Sequence, residues 1–342
     1  MAFRRALDTR PQISEVTPYA AIPGGEFQIR GKGLAGPERA VVRLGEAPAP
    51  VVIGSDSLLI VRVPEGTTKG ELVVGTDHEK SVPYTCGIGV QIAEGLHPVA
   101  NPAVDRRGNI FTTFSGSRGQ RTPVSIYKVE AGGTLTPFVS DLMNATGLAL
   151  DADDVLYAAS RHEGTVYRTT DAGNFTPYVE GMGVATGLAF DRDGNLYVGD
   201  RSGTVFKVSR ERQIYVFATL EPSIAAYHLA FGPDGHLYIT GPTTLSFDSV
   251  YRVSPAGQVE TFYRGLGRPQ GIAFDIDGNL YVAASLGGRR GVVRISQDRK
   301  AELFLSGPSI VGLAFAPGKT MILATANSLY RVHAGVAGRP LL

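Results

Sequence analysis

One sixteen-residue phrase recurs along the chain, and this repetition constrains the fold more than any other feature of the sequence. The copy that starts at Ala185 reads ATGLAFDRDGNLYVGD. Neighbouring copies lie roughly 40 to 45 residues apart, and a repeat of this period is a supersecondary unit that buries its apolar face against its neighbours. Six copies are recognisable, the first and last weaker than the others, and they start at Ala100, Ala145, Ala185, Ala226, Pro269 and Ile310.

Each copy predicts four short antiparallel strands. Two alternating runs flank a turn of Asp, Gly and Asn, and two further runs follow, such as TVFKVS (204–209) and IYVFATL (214–220). Period-2 alternation over about five residues, bounded by turn residues, is typical of strands. The pattern therefore predicts an all-β six-bladed β-propeller over residues 88–333, with strands A to D in each blade.

The two ends of the repeat region predict how the ring closes. The sixth copy contains strands A to C, and residues 334–342 provide no fourth strand. The segment VQIAEGLHP (90–98) resembles D-strand endings such as TPYVEGMGV (176–184). We expect residues 89–95 to supply strand D of blade six, because a blade shared between both ends of the ring leaves no exposed sheet edge.

The paired aspartates of the phrase look like the start of a calcium loop, but their spacing predicts a turn. In DRDGNLYVGD (191–200), Gly194 follows Asp193 directly, and the twelfth position is Ser202. An EF-hand loop requires Gly at position 6 and a bidentate Glu at position 12. Asp and Gly favour tight turns, because Asp bonds its own backbone and Gly accepts positive φ. We therefore predict that Asp193 and Asp277 lie in A–B turns.

Residues 11–87 contain no copy of the repeat and predict a small β-sandwich. Their short alternating strands are separated by Pro and Gly turns. The opening P-x-I-x-x-V-x-P, the P-G-G-x-x-x-x-I-x-G-x-G-L stretch and a V-P-x-G segment resemble the IPT/TIG immunoglobulin-like family, which implies a spacer or interaction module. The predicted organisation is an N-terminal tail (1–10), this sandwich (11–87), the propeller (88–333) and a C-terminal tail (334–342).

Composition excludes several classes of protein. The formal net charge is +1, which argues against a polybasic binder of nucleic acid or membrane. No apolar run reaches about 18 residues, and a single cysteine, Cys86, allows no internal disulfide. The N-terminal sequence MAFRRALDTRPQ has no apolar core of a signal peptide. We expect a cytoplasmic protein.

The phrase x-G-[LI]-A-F-D-x-D-G-N-L-Y-V resembles the NHL-repeat and gluconolactonase-like (strictosidine synthase-like) six-bladed propellers. This architecture serves lactonases, lyases and non-catalytic binders alike, so the resemblance implies a fold rather than one activity. In the lactonases, Glu, Asn and Asp side chains just before the G-[LI] of several A strands hold a divalent metal. The residues in that slot here are Asn101, Thr146, Thr186, Tyr227, Gln270 and Val311.

This slot offers few metal ligands. Only Asn101 is of a type that the lactonases use, Gln270 is a poor substitute, and Asp200, at the end of a B strand on the same face, adds one carboxylate. Calcium takes six or more oxygen ligands, several of them carboxylates. We expect no cofactor; the alternative that the resemblance implies is one calcium or zinc ion held by Asn101, Asp200 and Gln270.

Strand direction sorts the loops onto two faces. The starts of the A strands, the B–C loops and the D–A connections share one face, here called the A-start face, and the A–B turns with their aspartates lie on the other, here called the turn face. The A-start face gathers Arg118, Arg121, Arg161, Arg201, Arg268, Arg289 and Arg290, together with His97, His162 and His228. Arginine forks bind carboxylate and phosphate groups. We predict an anion at this face, bound by Asn101, Arg161, Arg201, Tyr227, Arg268, Gln270 and Arg289.

These features lead to three functional hypotheses. The first is a soluble binding or scaffold propeller that receives an anionic small molecule or an acidic protein surface on its arginine-rich face. The second is a gluconolactonase-like, metal-dependent hydrolase in which His228 or His162 is the general base. The third is binding of RNA by the basic face, as in some NHL propellers.

Overall fold

The computed structural model describes residues 10–35, 40–76, 79–117 and 119–339, and all regular elements in these ranges are β-strands. Within the same ranges, no helix is long and apolar enough to cross a membrane. The chain divides into two units. The first unit consists of the chain up to Val90 together with residues 304–308. The second contains residues 91–303 and 309–342.

The first unit contains two four-stranded sheets, ordered β1-β3-β7-β6 and β5-β4-β8-β9, while β2 and β10 form a short parallel pair. Alternate residues of the central strands point into one core, in which Phe27, Leu59, Leu72 and Val74 are fully buried. The strands are β1 (Gln12–Thr17), β2 (Ala20–Ala21), β3 (Glu26–Lys32), β4 (Val41–Leu44), β5 (Ala47–Ala49), β6 (Val51–Gly54), β7 (Leu58–Arg62), β8 (Glu71–Gly75), β9 (Tyr84–Thr85) and β10 (Gly87–Ile88).

The repeat region forms six sets of four antiparallel strands, which are the blades of a propeller. The strand bounds follow the repeat, with strand A of each blade innermost. Blade one has β12 (Ala103–Val104), β13 (Ile110–Thr113), β14 (Ile126–Val129) and β15 (Leu135–Val139); blade two β16 (Ala145–Leu150), β17 (Leu156–Ser160), β18 (Thr165–Thr169) and β19 (Phe175–Val179); blade three β20 (Ala185–Phe190), β21 (Leu196–Asp200), β22 (Thr204–Val208) and β23 (Ile214–Thr219).

The remaining blades repeat the pattern. Blade four has β24 (His228–Phe231), β25 (Leu237–Thr240), β26 (Asp248–Val253) and β27 (Val259–Leu266); blade five β28 (Ile272–Phe274), β29 (Leu280–Leu286), β30 (Arg289–Ile295) and β31 (Ala301–Ser306); blade six β32 (Ile310–Ala316), β33 (Thr320–Thr325) and β34 (Ser328–His333), with β11 (Val90–Glu94) as its fourth strand.

The ring closes as the sequence predicts. The inner strands β12, β16, β20, β24, β28 and β32 contact one another in this order, and β32 also contacts β12. Strand β11 lies beside β34 as the outer strand of blade six, although it precedes the first repeat in the chain. Both ends of the repeat region therefore contribute strands to blade six, so this blade has four strands like the others.

Aromatic rings of the phrase lock neighbouring blades together. The ring of Tyr197, in strand B of blade three, lies 4.9 Å from Phe217 in strand D and 5.0 Å from Phe231 in strand A of blade four, both edge to face. This geometry is the favoured one for aromatic pairs. The arrangement recurs at Tyr157 with Tyr178 and Phe190, at Tyr238 with Phe262 and Phe274, and at Tyr281 with Phe315. Strand-B tyrosines therefore pack between neighbouring blades.

The first aspartate of the phrase organises the A–B turn. Asp191 Oδ1 accepts hydrogen bonds from the backbone amides of Asp193 (3.0 Å) and Asn195 (2.8 Å), and Oδ2 accepts one from Asn195 Nδ2 (2.8 Å). Gly194 has a φ of +79°, which a residue with a Cβ adopts only at a cost. The same Asp–Asn pairing occurs between Asp275 and Asn279. The aspartate oxygens are therefore used by the turn, as the turn interpretation predicts.

Candidate functional site

Hydrogen bonds between neighbouring A strands draw the ring together at the A-start face. The Thr146 hydroxyl, which is buried, lies within hydrogen-bond distance of Ala159 O (3.1 Å) and Ala185 O (3.2 Å). In the next blade, Thr186 Oγ1 donates to Gly199 O (2.9 Å) and accepts from the amide of Tyr227 (3.1 Å). These slot residues serve the contacts between blades.

Asn101 links three blades at this end of the channel. Its Nδ2 donates to Ile272 O of blade five (2.9 Å), and its Oδ1 accepts from the amide of Leu313 of blade six (3.1 Å). One side chain from blade one therefore binds the inner strands of two other blades. A Cβ added to Gly271 would lie 2.2 Å from Asn101 Oδ1, and one added to Gly312 would lie 2.4 Å from a backbone oxygen of the same loop. Only glycine fits so close an approach.

Asp200 likewise serves the protein rather than a metal. Its carboxylate is buried, and Oδ1 accepts from the amides of Val184 (2.9 Å) and Ser202 (3.1 Å), while Oδ2 accepts from the Ser202 hydroxyl. Gln270 forms its hydrogen bonds here with backbone atoms. Its amide donates to Ala283 O (2.9 Å), and its carbonyl accepts from the Thr240 hydroxyl.

A lactonase-type metal centre does not fit this donor set. Both Asn101 and Asp200 use their oxygen atoms in hydrogen bonds to the protein. In the described part of the chain, no group of three or more His, Cys, Asp or Glu side chains lies close enough to hold a metal ion. A hard cation requires several free oxygen ligands, and these side chains do not provide them.

The two histidines proposed as general bases differ in their surroundings. His228 is 3% exposed, and its Nε2 has no hydrogen-bond partner. Burial lowers its pKa to about 3, so the imidazole is neutral at physiological pH but is a weak base. His162 is exposed in the B–C loop of blade two, where a Cβ on Gly119 would contact its Cε1 at 3.5 Å. Tyr227 is fully buried, and its hydroxyl donates to Glu221 O.

Two of the predicted arginines bind backbone carbonyls of neighbouring loops. Arg161 Nη2 donates to Gly116 O in the B–C loop of blade one (2.9 Å). Arg201 Nε donates to Ser223 O in the connection before blade four (3.3 Å). Each of these guanidinium groups therefore joins two neighbouring loops.

The other arginines of the A-start face include both exposed and half-buried residues. Arg268 is exposed and has a φ of +48°, and Arg289 is half-buried at the start of β30. Arg121 and Arg290 are exposed. Arg118 lies outside the described residues. None of the described arginines of this set lines the channel cavity described below.

A cavity of about 780 Å³ occupies the opposite part of the channel and reaches the turn face. Asn101 is at its inner end, and its wall begins one residue after the glycine position of the A strands, with residues such as Leu188 and Leu229. The next residue of the phrase is alanine, and Ala149, Ala230 and Ala273 are only half-buried. The small alanine side chains leave this part of the channel open.

The mouth of the cavity is formed by the A–B turns and by residues 337–339. The last described residues continue from blade six to blade five: the amide of Ile276 donates to Ala337 O (3.0 Å), and the amide of Arg339 donates to Phe274 O (2.9 Å). Between them Gly338 packs directly against the Phe315 ring. The segment expected as a C-terminal tail therefore pairs with the A–B hairpin of blade five as far as residue 339.

Basic and acidic side chains both line this mouth. The aspartates of the turns, such as Asp191, bind turn amides, and Arg106 donates to Asp154 (3.0 Å) and to Ala152 O. The basic side chains among the described lining residues are Arg106, Arg192, Arg210, Lys319 and Arg339. The sequence does not indicate a site at the turn-face end of the channel, because Arg192 has the pattern of a solvated turn residue and Arg339 lies outside the repeat.

Comparison with known proteins agrees with this architecture. Residues 11–86 match the IPT/TIG domain family. No curated protein matches the sequence. Several solved structures resemble the chain at low identity, and such likeness is evidence for the fold alone.

Three of these structures illustrate the range. A Bacteroides thetaiotaomicron protein of unknown function is 14% identical, with 96% of this chain and 98% of that chain covered and a TM-score of 0.58. An auxiliary nutrient binding protein from the same species is 11% identical, with 95% and 98% covered and a TM-score of 0.55. A gluconolactonase from Xanthomonas campestris is 16% identical, with 72% and 89% covered and a TM-score of 0.59. Residues 11–86 therefore match the IPT/TIG domain family, and the repeat region has a β-propeller fold that resembles solved structures including a gluconolactonase.

Proposed function

We propose that this protein is a binding protein whose propeller takes up a small organic molecule in the channel cavity, through the mouth at the turn face. The observation that carries the proposal is the cavity of about 780 Å³, which extends from Asn101 to the A–B turns. Ligand pockets typically measure about 300–1,000 Å³ and combine apolar walls with a few polar groups. This cavity has both properties.

The walls favour an apolar ligand body. The same slot of five A strands provides Leu148, Leu188, Leu229, Ile272 and Leu313 to the lining. Transfer of apolar surface from water into such a site contributes about 25 cal/mol per Å² before the costs of association. The charged groups lie at the mouth, so a ligand would enter with its apolar part first.

Binding accounts for this cavity better than hydrolysis does. His228, one of the two proposed bases, is buried with a pKa of about 3, and neither His228 nor His162 is among the described residues that line the cavity. Two structurally similar proteins are described as nutrient binding proteins and two carry a gluconolactonase description, so the fold is compatible with either function. The side chains at the proposed site favour binding.

Fluorescence titration with the neutral dye N-phenyl-1-naphthylamine tests this proposal. The dye is expected to bind the full chain saturably, and Ala230→Phe and Ala273→Phe, which fill the cavity, should each weaken binding at least about tenfold because the space is lost. Ala131→Phe, a change of the same size at an exposed turn, is the control. Variants with native melting behaviour that bind the dye as the parent does would contradict the proposal.

A further inference from the structure

The side chain of Arg339 is the most unusual charged group at the mouth. It is only partly exposed, lines the cavity, and its Nη1 is buried without a hydrogen-bond partner. Buried donors in proteins are normally paired, and an unpaired donor of a charged group is costly. The backbone fixes the position of Arg339, since its amide binds Phe274 O (2.9 Å). A guanidinium donor is therefore held at the mouth with hydrogen-bonding capacity unused.

A second arginine, Arg192, lines the same cavity. The charge of Arg192 lowers the pKa of Arg339, although burial is the larger cause. Two guanidinium groups at the mouth of one cavity both favour an anion there. Arg192 extends from the A–B turn of blade three and also lines the cavity. One of these arginines therefore comes from the turn face of the repeat and the other from the C-terminal segment.

Two acids near this mouth accept hydrogen bonds from other groups of the protein, and a third is exposed to solvent. Asp234, whose charge acts on Arg339 in the opposite direction, accepts from Arg252 Nη2 (2.9 Å) and from the Tyr238 hydroxyl (3.0 Å). Asp191 accepts from turn amides. The carboxylate of Asp193 is exposed to solvent on the same turn as Arg192, where water screens its charge. The mouth of the cavity therefore contains charges of both signs, and among its basic side chains Arg339 has a donor, Nη1, without a hydrogen-bond partner.

The geometry points to an anion-recognition site, and we infer that Arg339 and Arg192 bind the acidic group of an amphipathic ligand whose apolar body occupies the cavity. This inference rests on the proposed function and specifies its ligand class: a small organic acid with a carboxylate, phosphate or sulfonate at one end. Guanidinium groups suit each of these oxyanions through charge-assisted hydrogen bonds.

Two dyes that differ in one group test the inference. The dye 1-anilinonaphthalene-8-sulfonate has the ring system of N-phenyl-1-naphthylamine with an added sulfonate. In the full chain, Arg339→Gln should weaken binding of the sulfonate dye about tenfold or more, because a charge-assisted hydrogen bond is lost. Arg192→Gln should have a smaller effect in the same direction. Neither change should alter the Kd of the neutral dye more than about twofold.

Matched variants separate this effect from general changes of charge. Arg107→Gln removes one charge from an exposed residue on the same face that lines a different pocket, and it should leave both Kd values unchanged. Raising the salt concentration should weaken only the sulfonate dye, and less steeply in the Arg192/Arg339 double variant.

The outcomes distinguish the two proposals. Failure of both dyes to bind, or binding that is insensitive to the filled cavity, overturns the proposed function. Binding of both dyes in the cavity with affinities that are insensitive to Arg339 and Arg192 overturns the present inference alone. The inference is also overturned if Arg268→Gln, on the A-start face, loses binding of the sulfonate dye while the Arg339 and Arg192 variants retain it.

Discussion

The two ends of the propeller channel are built from the same six repeats but differ in what their polar groups do. At the A-start face, Thr146, Thr186 and Asn101 bind the inner strands of neighbouring blades, and among the residues of this slot only Asn101 lines the described cavity. At the turn face, the aspartates bind their own turns, and basic side chains surround an open cavity. Polar residues at the end of a channel can therefore either bind neighbouring blades or surround an open cavity. Those that hold the ring together have no capacity left for a ligand.

The largest expected effect concerns the A-start face. Asn101→Ala removes two hydrogen bonds between blades and leaves Leu313 N and Ile272 O without the side chain that binds them. We expect the free energy of unfolding to fall by about 2–4 kcal/mol. Gln270→Ala, in the same slot of blade five, should cost under about 1 kcal/mol, because Gln270 binds through its backbone. Urea unfolding measures both changes, and equal costs would show that Asn101 is not the residue that closes the ring.

The second effect tests how closely the inner strands approach. In Gly312→Ala, the new Cβ would lie 2.4 Å from Ala100 O, so a strand must shift, and we expect a loss of about 1–3 kcal/mol. Gly132→Ala places a Cβ in open space at an exposed turn and should be neutral within about 0.5 kcal/mol. Thermal unfolding of the two variants provides the comparison. If Gly312→Ala were as stable as the parent, this end of the channel would have more space than described.

The third effect is a dependence of stability on pH that originates at His228. Burial lowers the pKa of His228 to about 3 in the folded protein, whereas the ordinary value is 6.5. The unfolded chain therefore binds more protons between these values, and stability falls as the pH drops from 6.5 towards 3. From pH 7 to pH 5 this group should cost about 2 kcal/mol. Urea unfolding at both pH values should show this loss in the parent but not in His228→Gln.

The exposed His162 provides the control for that experiment. His162→Gln changes a side chain in a B–C loop of the same face, so it should retain the pH dependence of the parent. A parent-like pH dependence in His228→Gln would mean that His228 is solvated in the folded protein, and it would restore this residue as a candidate general base.

The smallest effect concerns the turns at the open end. Asp193→Asn should change the free energy of unfolding by less than about 0.5 kcal/mol, because this exposed residue enters the turn through its backbone amide. Asp277→Asn should behave in the same way. Asp191→Ala, by contrast, removes the acceptor of three turn hydrogen bonds and should cost about 1–3 kcal/mol. Equal tolerance at Asp191 and Asp193 would contradict the turn interpretation.

The sequence predicts most of the fold because the repeat is local. Each copy specifies its own strands and turn, and the resemblance of residues 90–98 to D-strand endings identifies the shared blade. The tyrosines of strand B pack as their period-2 positions require. All of these features depend on contacts within a blade or between adjacent blades.

The sequence does not predict at which end of the channel the cavity lies, because that property depends on contacts between distant residues. Asn101 reaches Ile272 across 171 positions of sequence, and no local pattern indicates this hydrogen bond. The course of residues 334–339 also falls outside the repeat, so the position of Arg339 could not be predicted from the phrase. Residue type alone suggested a site at Asn101, Asp200 and His228, where the structure shows side chains that serve packing and loop structure.

A crystal structure of the full chain with bound 1-anilinonaphthalene-8-sulfonate tests the central claim most directly. We expect the ring system inside the cavity, beside Leu188 and Leu229, with the sulfonate within about 3 Å of a nitrogen of the Arg339 guanidinium group. A dye bound instead at the A-start face, beside Arg201 and Arg268, would contradict it. In that case the A-start face would be the ligand site, as the sequence alone suggested.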